Sequence, residues 1–242
     1  MKLGIYSDIH SNAEALDAVL KALDKEHVDR TICLGDLVGY GPDPNRCVEA
    51  VIRNADEIVA GNHDLAAAGI LSIEDFNDTA AEALIWTRGV LSPSSEEFLA
   101  RLPLEVREGD VTAVHATPEA PDAWRYIWNE SDVRRNLGVQ ETPFCFVGHS
   151  HVPAAFIKDN EGNVLIRAAS EVRFRDGWKY LINVGSVGQP RDGDPRAAYG
   201  LLDTSEGWFR LIRLEYAVDL VQKKMAEEGL PGSLIQRLAL GQ

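Results

Sequence analysis

A chain of 242 residues, 45% hydrophobic and 26% charged, has the make-up of a soluble globular protein with room for one large domain or two small ones. No stretch approaches the roughly 20 apolar residues that cross a bilayer, which argues against a membrane protein. The formal net charge of −14 argues against binding long nucleic acid, which needs a Lys/Arg footprint on the protein surface.

The opening MKLGIYSDIH carries one lysine and a short apolar run. It reads as a first strand, Lys2 to Tyr6, not as a secretory signal, so a cytoplasmic protein is expected. Leu16, Val19, Leu20 and Leu23 then recur at the spacing of one buried helix face, with Ser11 and Glu14 placed for a capping box. Arg30 to Leu34 is the second strand, ending in Gly35-Asp36. The turn-rich GYGPDP leads into a helix from about Asn45 to Asn54, and a third strand, Glu57 to Ala60, delivers Gly-Asn-His-Asp at 61–64. This order implies parallel strands joined by helical crossovers. Asp75 to Val90 reads as a helix, and a second begins at Ser92 with Pro93 in its first turn.

Beyond residue 100 the pattern turns to strands: Leu104–Arg107, Val111–Val114, Phe144–Val147, Ala154–Ile157, Val164–Ala168, Tyr180–Val184, Tyr199–Leu202 and Phe209–Leu214. Asn160-Glu161-Gly162-Asn163 suits a hairpin turn, and Val218 to Glu228 a last helix. No repeat or linker interrupts the chain. Residues 1–242 are therefore expected to form one domain, two sheets packed face to face with helices outside. Cys33 and Cys145 lie in apolar runs, where a thiol serves as a small hydrophobe. With Cys47 they make an odd, widely spaced set that fits a reducing compartment.

Polar groups gather at the strand ends. Five strands finish in Asp8 and His10, in Asp36, in Asn62-His63-Asp64, in His115, and in His149 and His151. Five of the six histidines fall in this set; only His27 lies elsewhere. Any one of them could be a structural residue or a turn former. Five strand tips carrying ionisable groups need a partner of opposite charge, and ligands in open α/β sheets gather beyond the carboxyl ends of strands. Carboxylate, imidazole and amide donors without thiolates suit two first-row divalent ions, Mn foremost, then Fe, Co, Ni or Zn. One carboxylate could bridge such a pair through its two oxygens. Within each i, i+2 pair, Asp8/His10 and His149/His151, locally extended chain would face both members the same way.

In order and type, D-x-H (Asp8, His10), G-D (Gly35-Asp36), G-N-H-D (Gly61 to Asp64), H (His115) and G-H-x-H (Gly148 to His151) resemble the calcineurin-like metallophosphoesterase family, over residues 3 to about 200. GDLVGYGPDP and GSVGQPRDGDPRAAYG look like those of its small prokaryotic cytosolic members. Val184 stands before Gly185-Ser186 where proline is common, away from any presumed ligand. The resemblance implies a four-layer α/β/β/α sandwich of two mixed sheets flanked by helices. It implies one ion on Asp8, His10, Asp36 and His151, and a second on Asp36, Asn62, His115 and His149. His63 would be the catalytic acid and Asp64 would orient it. The reaction implied is phosphoester hydrolysis, with a shared water activated to hydroxide near neutral pH.

Small phosphodiesters or nucleotide-type esters are the expected substrates. Arg191 and Arg196 are candidates to clamp phosphate, although Asp192 and Asp194 offer them ordinary surface pairing. Tyr40 is a candidate to line the pocket. The segment Trp124, Arg125, Tyr126 and Trp128 could stack on a base, with a hydrophobic plug the favoured reading. A phosphomonoesterase, a protein phosphatase, a nuclease or a catalytically silent binding scaffold of the same fold are the alternatives, and the sequence leaves a homo-oligomer open.

Overall fold

Alternation along each strand decides what its two faces meet. The computed structural model describes residues 1–242. In β1 (Lys2–Tyr6), Leu3 and Ile5 point into a buried cluster shared with Ile32, Val111, Phe146, Ile182 and Phe209. Tyr6 points the other way, into a cluster with Leu16, Val19 and Val48. The first cluster lies between two sheets and the second lies under helices.

The first sheet runs β3 (Glu57–Ile58), β2 (Arg30–Cys33), β1, β11 (Ala197–Asp203), β12 (Trp208–Leu214), β9 (Glu171–Arg173). The second runs β4 (Glu105–Glu108), β5 (Val111–Val114), β6 (Phe144–Val147), β10 (Lys179–Asn183), β7 (Ala154–Lys158), β8 (Val164–Arg167). Outside the first sheet lie α1 (Ala13–Lys25) and α2 (Pro44–Asn54), pressed on Tyr6, Cys33 and Tyr199. Outside the second lies α6 (Glu130–Val139), whose Val133 and Leu137 cover Cys145, Val147 and Leu181. The result is the expected four-layer α/β/β/α order. All three cysteines are buried as free thiols; burial raises their pKa values and leaves them inert.

β1, β2 and β3 are parallel to one another, and so are β5, β6 and β10. Their carboxyl ends carry the polar loops. The remaining helices are α3 (Asn62–Ala67), α4 (Asp78–Val90), α5 (Pro93–Leu99), α7 (Val218–Glu227) and α8 (Gly232–Leu240). No helix is long and apolar enough to cross a membrane.

Several local expectations are corrected. Asn12, not Ser11, caps α1, accepting from the Ala15 N–H at 3.1 Å; Ser11 has φ +55° and an unpartnered hydroxyl, so the Ser11/Glu14 box does not form. β3 stops at Ile58 because the Ala60 N–H turns to the Pro103 carbonyl at 2.7 Å instead of the sheet. The 61–64 segment is the start of a helix, and Asp64 caps it by accepting from the Gly61 N–H at 3.0 Å. α6, α8 and β9 are not anticipated. Each is short, and α6 buries only two apolar side chains, too few for a periodic signal, although Asn129 and Asp132 form a capping box at its start.

Candidate metal centre

The strand tips are knitted before any side chain is considered. The Asp8, His10 and Ser11 N–H groups donate to the Gly35, Asp36 and Leu37 carbonyls at 2.9–3.0 Å, so the loops after β1 and β2 run side by side. The Gly148 N–H donates to the His115 carbonyl at 2.8 Å, joining the loops after β5 and β6. Asp8, His10, Asp36, His149 and His151 all have φ between +47° and +65°, a left-handed conformation that side chains rarely adopt. Asp8 and His10 therefore reach one donor group through curled backbone and not extended chain, while His149 and His151 part, one to each group. Strain of this kind persists where the surrounding structure over-determines it, and it concentrates at functional sites.

Two glycines explain why the motifs contain them. A Cβ on Gly61 would sit 2.0 Å from Asp36 Oδ1, and one on Gly148 would sit 2.3 Å from Asp8 Oδ2. Each glycine leaves room for a carboxylate.

Six candidate donors meet in two groups. The donor atoms of Asp8, His10, Asp36 and His151 lie within 4.8 Å of one another, as do those of Asp36, His115 and His149. Asp36 belongs to both. Its Oδ1 accepts from the His63 N–H at 2.9 Å, while its Oδ2 lies 3.5 Å from His10 Nε2 and 3.3 Å from His115 Nε2. Oδ2 is thus the Asp36 oxygen that faces both groups, while Oδ1 is taken by a backbone N–H. Asn62, at the amino end of α3, is buried and its Oδ1 has no hydrogen-bond partner.

Each of the four imidazoles has one nitrogen on a backbone carbonyl. His10 Nδ1 faces the Val38 carbonyl at 3.1 Å, His115 Nδ1 that of Leu34 at 2.7 Å, His151 Nδ1 that of Gln189 at 2.5 Å, and His149 Nε2 that of Trp124 at 2.9 Å. Donation to a carbonyl fixes the tautomer and leaves the opposite nitrogen with a lone pair, the arrangement of metal-bound histidine. Those free nitrogens face one another, His10 Nε2 to His151 Nε2 at 3.1 Å and His115 Nε2 to His149 Nδ1 at 3.2 Å. Two such nitrogens at this distance need a proton or a metal ion between them. With an orphaned amide oxygen beside them, these residues fit a pair of divalent ions.

Charge bears out the same need. Burial would raise the Asp8 and Asp36 pKa values, yet the neighbouring imidazoles hold both well below the usual carboxylate range. Burial lowers His10, His151 and His149, the last to about 3, so they are neutral donors. His115 goes the other way: against the cost of burial, Asp36 raises it to about 10. Without an ion, one imidazolium must answer two buried carboxylates.

His63 lies beside both groups, packed on His10 (ring centroids 4.8 Å), Tyr40 (4.5 Å) and Phe76 (5.1 Å). Burial lowers its pKa to about 4. Asp64 does not orient it by hydrogen bonding: its Oδ1 accepts from the Leu37 and Val38 N–H groups at 2.8 and 3.3 Å, and its Oδ2 from Gly61. Asp64 braces the loop that carries Asp36, and burial raises its pKa to about 7. Tyr40 is packed between His10 and His63, and its hydroxyl accepts from Arg191 at 3.4 Å. Arg196 is placed away from this role: it is exposed and bound to Asp194 at 2.6 Å, the pairing that its loop offers.

A cavity of about 390 Å³ opens beside the second group, lined by Asn62, His63, His149, Tyr40, Phe76 and Trp124 among others. Tyr126 stacks on His149 (centroids 4.2 Å, interplanar angle 22°) and on Trp128, which is 72% exposed. A plug would be buried, so this segment is instead a strap over the second group. Sequence reasoning misses the Phe76 side of the cavity and the carbonyls of Trp124 and Gln189. Backbone acceptors leave no trace in residue type.

A family model described as the calcineurin-like phosphoesterase superfamily domain matches residues 1–207. An uncharacterised protein of Methanocaldococcus jannaschii is 40% identical over 99% of this chain and 98% of its own length. Among solved structures, a metallophosphoesterase from Sphaerobacter thermophilus is 42% identical, with a TM-score of 0.88 over 100% of this chain and 99% of its own. A hypothetical protein from Pyrococcus horikoshii shares the fold, at TM-score 0.81 and 19% identity over 100% of this chain and 98% of its own.

Proposed function

The chain belongs to the calcineurin-like phosphoesterase superfamily, and we propose that it hydrolyses small phosphoesters, phosphodiesters or nucleotide-type esters, with two divalent transition-metal ions. Asp8, His10, Asp36 and His151 would hold one ion, and Asp36, Asn62, His115 and His149 the other. The observation that carries this reading is the pairing of imidazole lone pairs around Asp36 Oδ2. When bound, such ions polarise phosphate oxygens and supply an activated water. Manganese suits the mixed oxygen and nitrogen donors.

The chain's own residues do the rest. The carbonyls of Val38, Leu34, Gln189 and Trp124 fix the rings of four imidazoles and aim their opposite nitrogens at the candidate site. His63 faces the cavity beside the donors and is the group to meet the leaving oxygen. Burial lowers its pKa to about 4, so it is neutral at rest, and to act as the acid it would have to take up a proton as the anionic substrate binds. Aromatic walls from Tyr40, Phe76 and Trp124 support a flat leaving group such as a nucleoside. Three buried thiols support a cytoplasmic home.

Metal-reconstituted protein assayed on bis-p-nitrophenyl phosphate, p-nitrophenyl phosphate and long duplex DNA tests the reading. Hydrolysis of the small esters, abolished by a chelator and restored by Mn²⁺, is expected. Metal binding without turnover of any ester would favour the silent scaffold. Nuclease activity exceeding small-ester hydrolysis would favour the nuclease.

A further inference from the structure

The segment between α3 and α4 supplies one wall of the cavity beside the second donor group. Ser72, Asp75, Phe76 and Asn77 line the same space of about 390 Å³ as Asn62, His63 and His149. The segment is held from several sides. The Leu71 N–H donates to the Leu65 carbonyl at 3.1 Å, and the Leu71 carbonyl accepts from Arg88 at 3.3 Å. The Phe76 ring packs edge to face on His63 at 5.1 Å, and Asn77 Oδ1 caps α4 by accepting from the Ala80 N–H at 3.0 Å. The wall is therefore fixed relative to His63 before any ligand arrives.

Depth divides the cavity. Asn62, His63 and His149 are buried, whereas Ser72, Asp75 and Asn77 are exposed, so the donors stand at the floor and the segment at the rim. Tyr40, Phe76 and Trp124, buried or half-buried, line the depth between. At the rim, Ser72 Oγ already accepts from the Glu74 N–H at 3.2 Å, and Asn77 Oδ1 is taken by its cap. Asp75 has no ion pair and no hydrogen bond within the chain, which leaves its carboxylate as the free acceptor of the rim. An unpaired carboxylate is ordinary on so acidic a chain; its place on this wall is what informs. A ligand that fits the whole cavity has a phosphate at one end, hydrogen-bond donors at the other and a flat apolar face between them. A nucleoside monophosphate has that form, and the two oxygens of a carboxylate can each accept from one hydroxyl of the ribose diol.

We propose that Asp75 is a specificity residue, accepting hydrogen bonds from the ribose hydroxyls of a nucleoside whose phosphate lies at the donor groups. This deepens, and rests on, the phosphoesterase reading: the favoured substrates are esters of ribonucleosides. A further phosphate toward the rim would meet the Asp75 carboxylate, so linked polyphosphates are disfavoured there.

The test uses metal-reconstituted protein, titrated calorimetrically with the methylenephosphonate analogues of AMP and of 2′,3′-dideoxy-AMP, which resist hydrolysis and differ only in those hydroxyls. Wild type should bind the ribose form about tenfold more tightly, the scale of one hydrogen bond to a charged group. D75A should erase that margin and D75N should keep part of it, with all three proteins melting alike. A merely structural role would weaken both analogues equally. In turnover, D75A should lower by a similar factor the ratio of kcat/KM for a diribonucleoside monophosphate to that for bis-p-nitrophenyl phosphate, acting through KM. Equal affinity of wild type for the two analogues, or a margin that survives D75A, overturns the assignment. So does tighter binding of the corresponding phosphocholine analogue, which would give the rim to an ammonium group. Should wild type hydrolyse no ester at all, the phosphoesterase reading falls, and the calorimetric margin still decides the role of Asp75.

Discussion

The two donor groups share Asp36 and differ in almost everything else. Asp8, His10 and His151 are 0–2% exposed, and both imidazoles of this group present Nε2. In the other group Asn62 and His149 are 8% and 6% exposed and line the open cavity. His149 is reversed, presenting Nδ1, and its outer nitrogen hangs on the carbonyl of Trp124 in the aromatic strap. Asn62 is a neutral amide where the first group has the Asp8 carboxylate. On the proposed reading the first group would hold an ion in an enclosed place, and the second would hold one beside the open cavity. Similar donors therefore do different work according to what stands behind them.

Asp36→Asn breaks the comparison altogether. Losing the shared charge should weaken both ions and lower activity about a thousandfold or more, the several kcal/mol that such an ion supplies. Elemental analysis finding both ions retained would refute the bridging assignment.

His63→Ala separates chemistry from holding. It should keep both ions and lose roughly 10²–10⁴ in rate, as for removal of a general acid. The loss should be smaller for p-nitrophenyl esters, which leave without help. Equal losses on poor and good leaving groups would speak for phosphate binding instead.

The two groups are told apart by Asn62→Ala and His10→Ala. Asn62→Ala should raise the Mn²⁺ needed for half-maximal activity by roughly 10–100-fold, the scale seen when a metal site's supports are cut. His10→Ala should empty the more enclosed group and should not be rescued by added metal. Identical metal dependence in both variants would mean that the groups are equivalent.

The smallest effect lies in the Arg191 loop. The hydrogen bond from Arg196 lowers the Asp194 pKa to about 2 from its ordinary 3.8. A carboxyl depressed on folding stabilises above its unfolded pKa, and that stability is lost as pH falls from about 4 toward 2. Asp194→Asn should therefore cost less than about 1 kcal/mol near neutrality and nothing near pH 2. Urea melts at the two pH values read the difference, and a penalty independent of pH would count against the pairing.

What was legible in the chain were residue types at strand ends, because parallel strands must deliver their tips to one edge whatever the detail. Asp8, Asp36, His115 and His149 could be placed this way. The purpose of Asp64 could not, since a buried carboxylate serving three backbone N–H groups looks in sequence like one serving a histidine. Arg191 and Arg196 sit in the same PRDGDPR stretch, and only the arrival of Arg213 decides which of them keeps a partner. Nothing in the sequence shows why the 61 and 148 motifs need glycine, because the demand is steric and comes from a carboxylate on another loop.

The donors also span the chain in a way that couples the site to folding. Residues 8 and 151 meet across the two sheets, with His151 Nε2 3.2 Å from Asp8 Oδ1. Asp8, His10, Asp36 and Asn62 follow strands of one sheet; His115, His149 and His151 follow strands of the other. Neither sheet alone offers a complete set, so an ion held here acts as a staple across the sandwich, binding the folded chain and not its halves. At a free concentration a thousand times its dissociation constant, one such ion would add about 4 kcal/mol to the folding free energy. A chelator would then do more than stop turnover: it would loosen the seam between the sheets, and the melting temperature would follow metal concentration.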